Sequence, residues 1–410
     1  MGLGLRICFP VGKGKDISKE RYERYFSKPR SIIPGWGKTC SFFKEGFNIK
    51  LVPFEEDIYC TWEDGQLCVS AKTNSAGPGY HAYLVDMLKE LCVAPIEVED
   101  DTGYWDNGDY GMLQEEMGKW LRSLSKEIIN MSRSGGYSNI AVSLALDSTP
   151  VDSDHLACCP LGYFDIDFFE RAQKGDADGS EFFVWWNRQQ DALLFKNSAL
   201  NTILCEINWL PPETDDEHKN IETALSCLER AYEMDPDLDY HAAEWLELAQ
   251  LSGNEALVKT VRSRFKEIGE AELGYRRNCV CSLVNGWNIT RDGQMHFERE
   301  EDGTLIWWDD NRTIRASTLS VQRKDGTADS KMLLEYVISD EPDHMQFSLR
   351  NAQIAAAIQH TQIEENGGPL WQTRLTAALG NELLILSIYY IDEADRKWAT
   401  KICASAAHQS

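Results

Sequence analysis

The chain has 410 residues, 43% of them apolar and 26% charged, which is ordinary for a folded protein and long enough for two or three domains. Its net charge of −25 and pI near 4.7 argue against nucleic acid as a general partner, because phosphate repels an acidic surface. No run reaches the ~18 apolar residues that a membrane span needs. The twelve cysteines are irregularly spaced and none forms C-x-x-C, so a reduced, cytoplasmic set of thiols is expected. The N-terminus lacks a signal h-region, and Arg6 breaks the myristoylation pattern.

Charge is uneven. Residues 1–50 carry eleven Lys and Arg against four Asp and Glu, whereas 53–117 carry two against fifteen. Residues 1–40 therefore read as a basic N-terminal arm, punctuated by Pro and Gly, with a short helix over SKERYERYF. Gly37-Lys38-Thr39 looks like the tail of a P-loop, but the required glycine five positions before Gly37 is Ile32, and the motif is rejected.

Residues 41–215 read as an α+β domain. Short strands are expected at 47–52, 58–62 and 66–71, the last two joined by a Glu63-Asp64-Gly65 turn. Residues 73–92, TNSAGPGYHAYLVDMLKELC, join a strand to a helix through a small-residue turn. Pro78 suits a first helical turn, Gly77 and Gly79 permit close approach of backbone or ligand, and Ser75 is a candidate cap. Tyr80, Leu84, Met87 and Leu91 fall on one face and His81, Val85, Leu88 and Cys92 on the next, so the helix is expected to be buried. A helix N-terminus reached through glycines can hold an anion, and His81 would stand beside it. Gly77, Gly79, Tyr80, His81 and Trp105 are the candidate binding residues, and Ser75, His81 and Asp100 or Asp101 the candidate catalytic ones.

The acidic loop 100–109 lacks the alternating carboxylates and bidentate Glu of a calcium site, and Asp109 reads as the cap of a helix over 110–131. Asp176-x-Asp178-Gly179 is an EF-hand fragment without its closing Glu. No metal and no cofactor are expected. A buried strand is read at 140–146; the aromatic run 182–186 would be a sugar- or partner-binding platform if exposed and a central strand if buried, and core is the favoured reading; another strand is read at 200–209.

Residues 216–275 read as a helical bridging region, with helices at 218–234, 240–251 and 255–268. Ala224, Leu228, Ala231 and Pro236 in ALSCLERAYEMDP resemble the second helix of a tetratricopeptide pair, over one helix only. Residues 280–410 read as a second α+β domain: strands at 294–298, 305–308, 313–321 and 331–338, an alanine-rich helix at 345–358, a hairpin at 371–377 and 382–390, and a closing helix at 392–404. That element order resembles the small PsbP-like sheet-and-helix fold, which implies a docking module.

The overall class is α+β. With no G-x-S-x-G, H-E-x-x-H or Walker pattern, the expected function is a cytoplasmic, non-enzymatic interaction protein. It would be an adaptor, or an acidic protein of the immunity type that neutralises a basic protein partner. The alternative is a hydrolase or transferase around His81 and the 100–109 loop.

Overall fold

A computed structural model describes residues 2–14, 17–134, 140–142, 148–150, 155–321, 329–339, 345–349, 354–365 and 368–408. It mixes helices with antiparallel sheets and divides into two compact units. The first comprises residues 1–145, 152–207 and 211–274, and the second 146–151, 208–210 and 275–410.

The first unit is built on a six-stranded antiparallel sheet of β1 (Gly4–Pro10), β2 (Thr39–Phe43), β3 (Gly46–Lys50), β4 (Ile58–Glu63), β5 (Gln66–Lys72) and β6 (Glu97–Asp100), in the order β2-β3-β4-β5-β1-β6. Residues 4–10, read above as part of an arm, are thus an inner strand. Alternation explains why: Leu5, Ile7 and Phe9 point to the core and Gly4 and Arg6 away from it, a period-two pattern obscured by the neighbouring lysines. Helix α1 (Lys19–Phe26), capped by Ser18, covers the apolar face, with Tyr22 against Phe9 and Trp62, and Phe26 against Phe47.

Next come α2 (Pro78–Lys89), α3 (Tyr104–Asn107) and α4 (Tyr110–Arg133), the last capped by Asp109, which accepts from Gly111 and Met112 N–H. The expected strand at 140–146 is seen only as β7 (Ile140–Ala141), and 143–147 lie outside the described residues. β8 (Ser148–Pro150) belongs to the second unit. β9 (Ala157–Cys159) and β10 (Gly162–Phe164) extend β7, and α5 (Ile166–Lys174) follows. Asp178 and Glu181 form a capping box around one 3-10 turn, which accounts for the EF-hand-like fragment.

Where a strand is expected at 200–209, the structure has α6 (Ala192–Glu206), capped by Asp191. This helix is buried nearly all round, so its sequence shows no helical periodicity. The run 182–186 is core, with Phe182, Phe183, Val184 and Trp185 all 0% exposed, but it is not a strand. Helices α7 (Asp215–Met234), α8 (Ala242–Leu251) and α9 (Glu255–Arg264) complete the unit.

In the second unit, β8 pairs with β11 (Cys279–Ser282), then β12 (Trp287–Arg291) and the short β20 (Ala407–His408). A seven-stranded antiparallel sheet contains β13 (His296–Arg299), β14 (Leu305–Trp308), β15 (Arg312–Ser320), β16 (Met345–Leu349), β17 (Ile354–Glu365), β18 (Gly368–Leu379) and β19 (Glu382–Tyr390). Its order is β13-β14-β15-β19-β18-β17-β16. Helices α10 (Ser330–Val337) and α11 (Arg396–Ser405) pack on strands of this unit.

Two expectations are reversed here. Where a strand is expected at 331–338, the structure has the helix 330–337: Asp329 caps Lys331 and Met332 N–H, and Leu333, Leu334 and Ile338 reach a common core. The turn expected at 324–326 lies outside the described residues. In the alanine-rich 345–358, residues 345–349 and 354–358 are strand rather than helix, and 350–353 lie outside the described residues. Ala355, Ala356 and Ala357 stand opposite Ala378, Ala377 and Thr376, and Ala357 and Ala378 lie beneath α10. Small side chains let a helix lie close on the sheet, and that packing outweighs alanine's helix propensity.

Cys8 and Cys68, register partners on β1 and β5, are joined as a disulfide, which corrects the expectation of twelve free thiols. The other ten form no disulfide. Alkylation of the unfolded chain without reductant is expected to label ten cysteines and spare Cys8 and Cys68. Mass spectrometry showing twelve labelled thiols would contradict this pairing.

Candidate functional site

Helix α2 begins at Gly77, whose φ of +107° is closed to most side chains, and Pro78 takes its first position. No side chain caps it, so Ser75, half-buried, is not the cap. The amides of the preceding turn face a carboxylate from the protein itself. Glu55, 1% exposed, accepts from Ala76 N–H (2.8 Å) and Glu56 N–H (3.1 Å). The position at which a helix N-terminus would hold an anion is therefore filled from within.

The glycines admit the aromatic run. Trp185 N–H donates to Ala76 O (2.8 Å), and Gly79 N–H donates to Trp185 O (2.9 Å). A Cβ on Gly79 would stand 2.0 Å from Trp185 Cδ1, and one on Gly77 would stand 2.7 Å from Phe183 Cβ. Tyr80, 1% exposed, lies 6.5 Å from the Trp185 ring. Gly77, Gly79 and Tyr80 thus surround a side chain of the protein rather than an open space.

His81 is 0% exposed and both ring nitrogens are occupied. Nδ1 lies 2.9 Å from Thr73 Oγ1, and Nε2 lies 3.1 Å from Thr102 Oγ1 and 3.3 Å from Asp100 Oδ1. The Thr102 hydroxyl donates to Asp100 Oδ1 (2.7 Å), which leaves its oxygen to accept from Nε2–H. Trp105 N–H and Thr102 N–H complete the carboxylate's partners, at 2.7 and 2.8 Å. Burial pushes the Asp100 carboxyl up, but the bonds from His81, Trp105 and Thr102 outweigh it and hold the group well below the usual range.

The network gathers His81, Asp100 and Trp105. Asp101 is exposed and accepts from Gly4 N–H (3.0 Å), away from the imidazole. The Trp105 ring is half-buried beside Lys89, whose ammonium lies 5.1 Å from its centroid. Thr73, Thr102 and Glu55 escaped sequence reasoning, since a lone threonine or a glutamate in an acidic run carries no motif.

Glu55 gives a testable pH dependence. Burial raises its carboxyl to about 7, only partly offset by the bonds from Ala76 and Glu56. The folded chain therefore holds this proton more tightly than the unfolded chain. The associated stability is full below the ordinary value of 4.5 and is lost as pH rises to about 7. Comparing chemical denaturation at pH 5 and pH 8, Glu55→Gln is expected to remove a slope worth on the order of 2–3 kcal/mol. An unchanged slope would contradict this.

The sheet face opposite α1 is open. Tyr59 (49% exposed), Arg6, Lys72, Glu56, Glu99 and Asp101 line a cavity of about 400 Å³ on it, with Asp57 beside them. Arg6 pairs with Glu97 (2.9 Å) and Glu63 (3.3 Å), and Lys72 with Glu56 (3.0 Å). Asp57, Glu99 and Asp101 have no ion-pair partner among the described residues. Among the described residues, no group of three or more His, Cys, Asp or Glu could hold a metal, and no helix is long and apolar enough to cross a membrane.

No family model matches the chain, and no curated protein matches it. Similar solved structures include a crystal structure from Bacteroides thetaiotaomicron, with TM-score 0.27 and 10% identity over 30% of this chain and 46% of that one. The chain thus spans less than half of that protein. Another is the solution structure of cyanobacterial PsbP (CyanoP) from Synechocystis, with TM-score 0.19 and 6% identity over 35% of this chain and 100% of that one. At these TM-scores neither likeness carries an argument.

Proposed function

We propose that the chain is a non-enzymatic interaction protein, an adaptor or a partner-neutralising protein, that binds a basic protein segment on the open face of its first sheet. The observation that carries this reading is the cavity of about 400 Å³ with Tyr59 and an excess of carboxylates around it. Arg6 and Lys72 are already tied to glutamates, and Asp57, Glu99 and Asp101 have no cation within 4.0 Å among the described residues, which leaves an excess of negative charge for cations from outside. The phenol of Tyr59 offers a cation–π surface beside them. The competing hydrolase or transferase reading needs an imidazole open to substrate, and His81 is 0% exposed with both nitrogens engaged.

A fluorescent lysine-rich peptide is the probe. Wild-type chain is expected to bind it in a salt-sensitive, saturable manner, and Asp57→Asn with Glu99→Gln to weaken binding by about tenfold at unchanged Tm. Equal affinity for both proteins would refute the assignment of this face.

A further inference from the structure

We propose that Trp36, Lys50, Lys219 and Thr223, all in the first unit, form a binding site for a phosphate-type oxyanion. The 33–37 segment lies along one face of α7. Gly35, at φ +75°, packs its backbone on Thr223, where an added Cβ would stand 3.0 Å from the Thr223 Cα. One turn further along, the Cys227 thiol lies 3.9 Å from Pro34 O. One turn before Thr223, the Lys219 ammonium stands 4.4 Å from the Trp36 ring centroid. From β3, far away in sequence, Lys50 reaches the same ring at 6.0 Å.

Neither ammonium has a carboxylate within 4.0 Å among the described residues, in a chain whose net charge is −25. Two buried polar atoms of this segment and of the helix it lies on have no hydrogen-bond partner: Trp36 Nε1, and Oγ1 of Thr223, a residue 1% exposed. The indole N–H and the ammoniums can only donate, and the hydroxyl can also donate. Donors and positive charge are therefore gathered about one indole, with no carboxylate within 4.0 Å of either ammonium among the described residues. An oxyanion would supply both the acceptors and the opposite charge. The chemistry fits free phosphate or a phosphorylated side chain.

Isothermal titration of the full chain at fixed ionic strength, carried to millimolar ligand, tests the site with two ligands, inorganic phosphate and a short phosphoserine peptide. At least one is expected to bind saturably at one site, and the tighter of the two identifies the source. The double variant Lys50→Gln, Lys219→Gln should weaken that binding about tenfold or more, while Lys44→Gln, Lys259→Gln, which removes equal charge elsewhere, should leave it intact. No saturable binding of either ligand, or equal weakening in both double variants, would overturn the proposal.

Discussion

Gly79→Ala is expected to destabilise the first unit by about 3 kcal/mol or more, at the upper end of what over-packing costs. The added methyl would fall 2.0 Å from Trp185 Cδ1, 2.3 Å from Nε1 and 2.4 Å from Asn187 O. The indole has nowhere to move. It is 0% exposed, lies 6.5 Å from the Tyr80 ring and 5.6 Å from Tyr83, and its backbone is hydrogen-bonded to the turn. Gly118 is the control. Within α4, a Cβ there meets only Arg122 Nη1 at 3.7 Å, so Gly118→Ala should stabilise by roughly 0.5–1 kcal/mol. Urea denaturation of the two variants checks both signs, and a neutral Gly79→Ala would contradict the packing described.

His81→Ala is expected to cost about 3–5 kcal/mol, because it empties a sealed position and strands its partners. Asp100 would lose the contact at 3.3 Å, and the Thr73 and Thr102 hydroxyls would lose their ring nitrogens. The carboxyl of Asp100 lies below its ordinary 3.8, so its stabilising contribution is present above that pH and lost as pH falls further. In His81→Ala this acid sensitivity should shrink. Denaturation between pH 3 and pH 6 measures it. A variant of wild-type stability and unchanged acid profile would show that the imidazole does not hold this network.

Much of the fold was legible wherever pattern and punctuation agreed. Strands at 58–63 and 66–72 follow from alternation around Asp64-Gly65, and α4 from Asp109 followed by an apolar stripe. The failures occur where tertiary packing overrides a local signal. Buried nearly all round, α6 has no periodicity to read. Strand β17 is alanine-rich because α10 needs room above it, a fact held in residues 330–338 and not in the alanines themselves. At the candidate site, the glycine turn and His81 stood out by composition. Their partners did not: Trp185, Thr102 and Glu55 reach the turn through the fold, from up to about a hundred residues away. The open acidic face was equally hidden, since each of its strands contributes only every second residue.

The proposed binding surface is the open sheet face, whereas His81 is sealed in a hydrogen-bond network. The most direct test measures affinity for the lysine-rich peptide, corrected for folded fraction, in wild type, His81→Gln and Glu99→Lys. The expected result is that folded His81→Gln binds as wild type does despite a lowered Tm, while Glu99→Lys keeps its Tm and loses binding about tenfold or more. Binding lost in His81→Gln and retained in Glu99→Lys would contradict it.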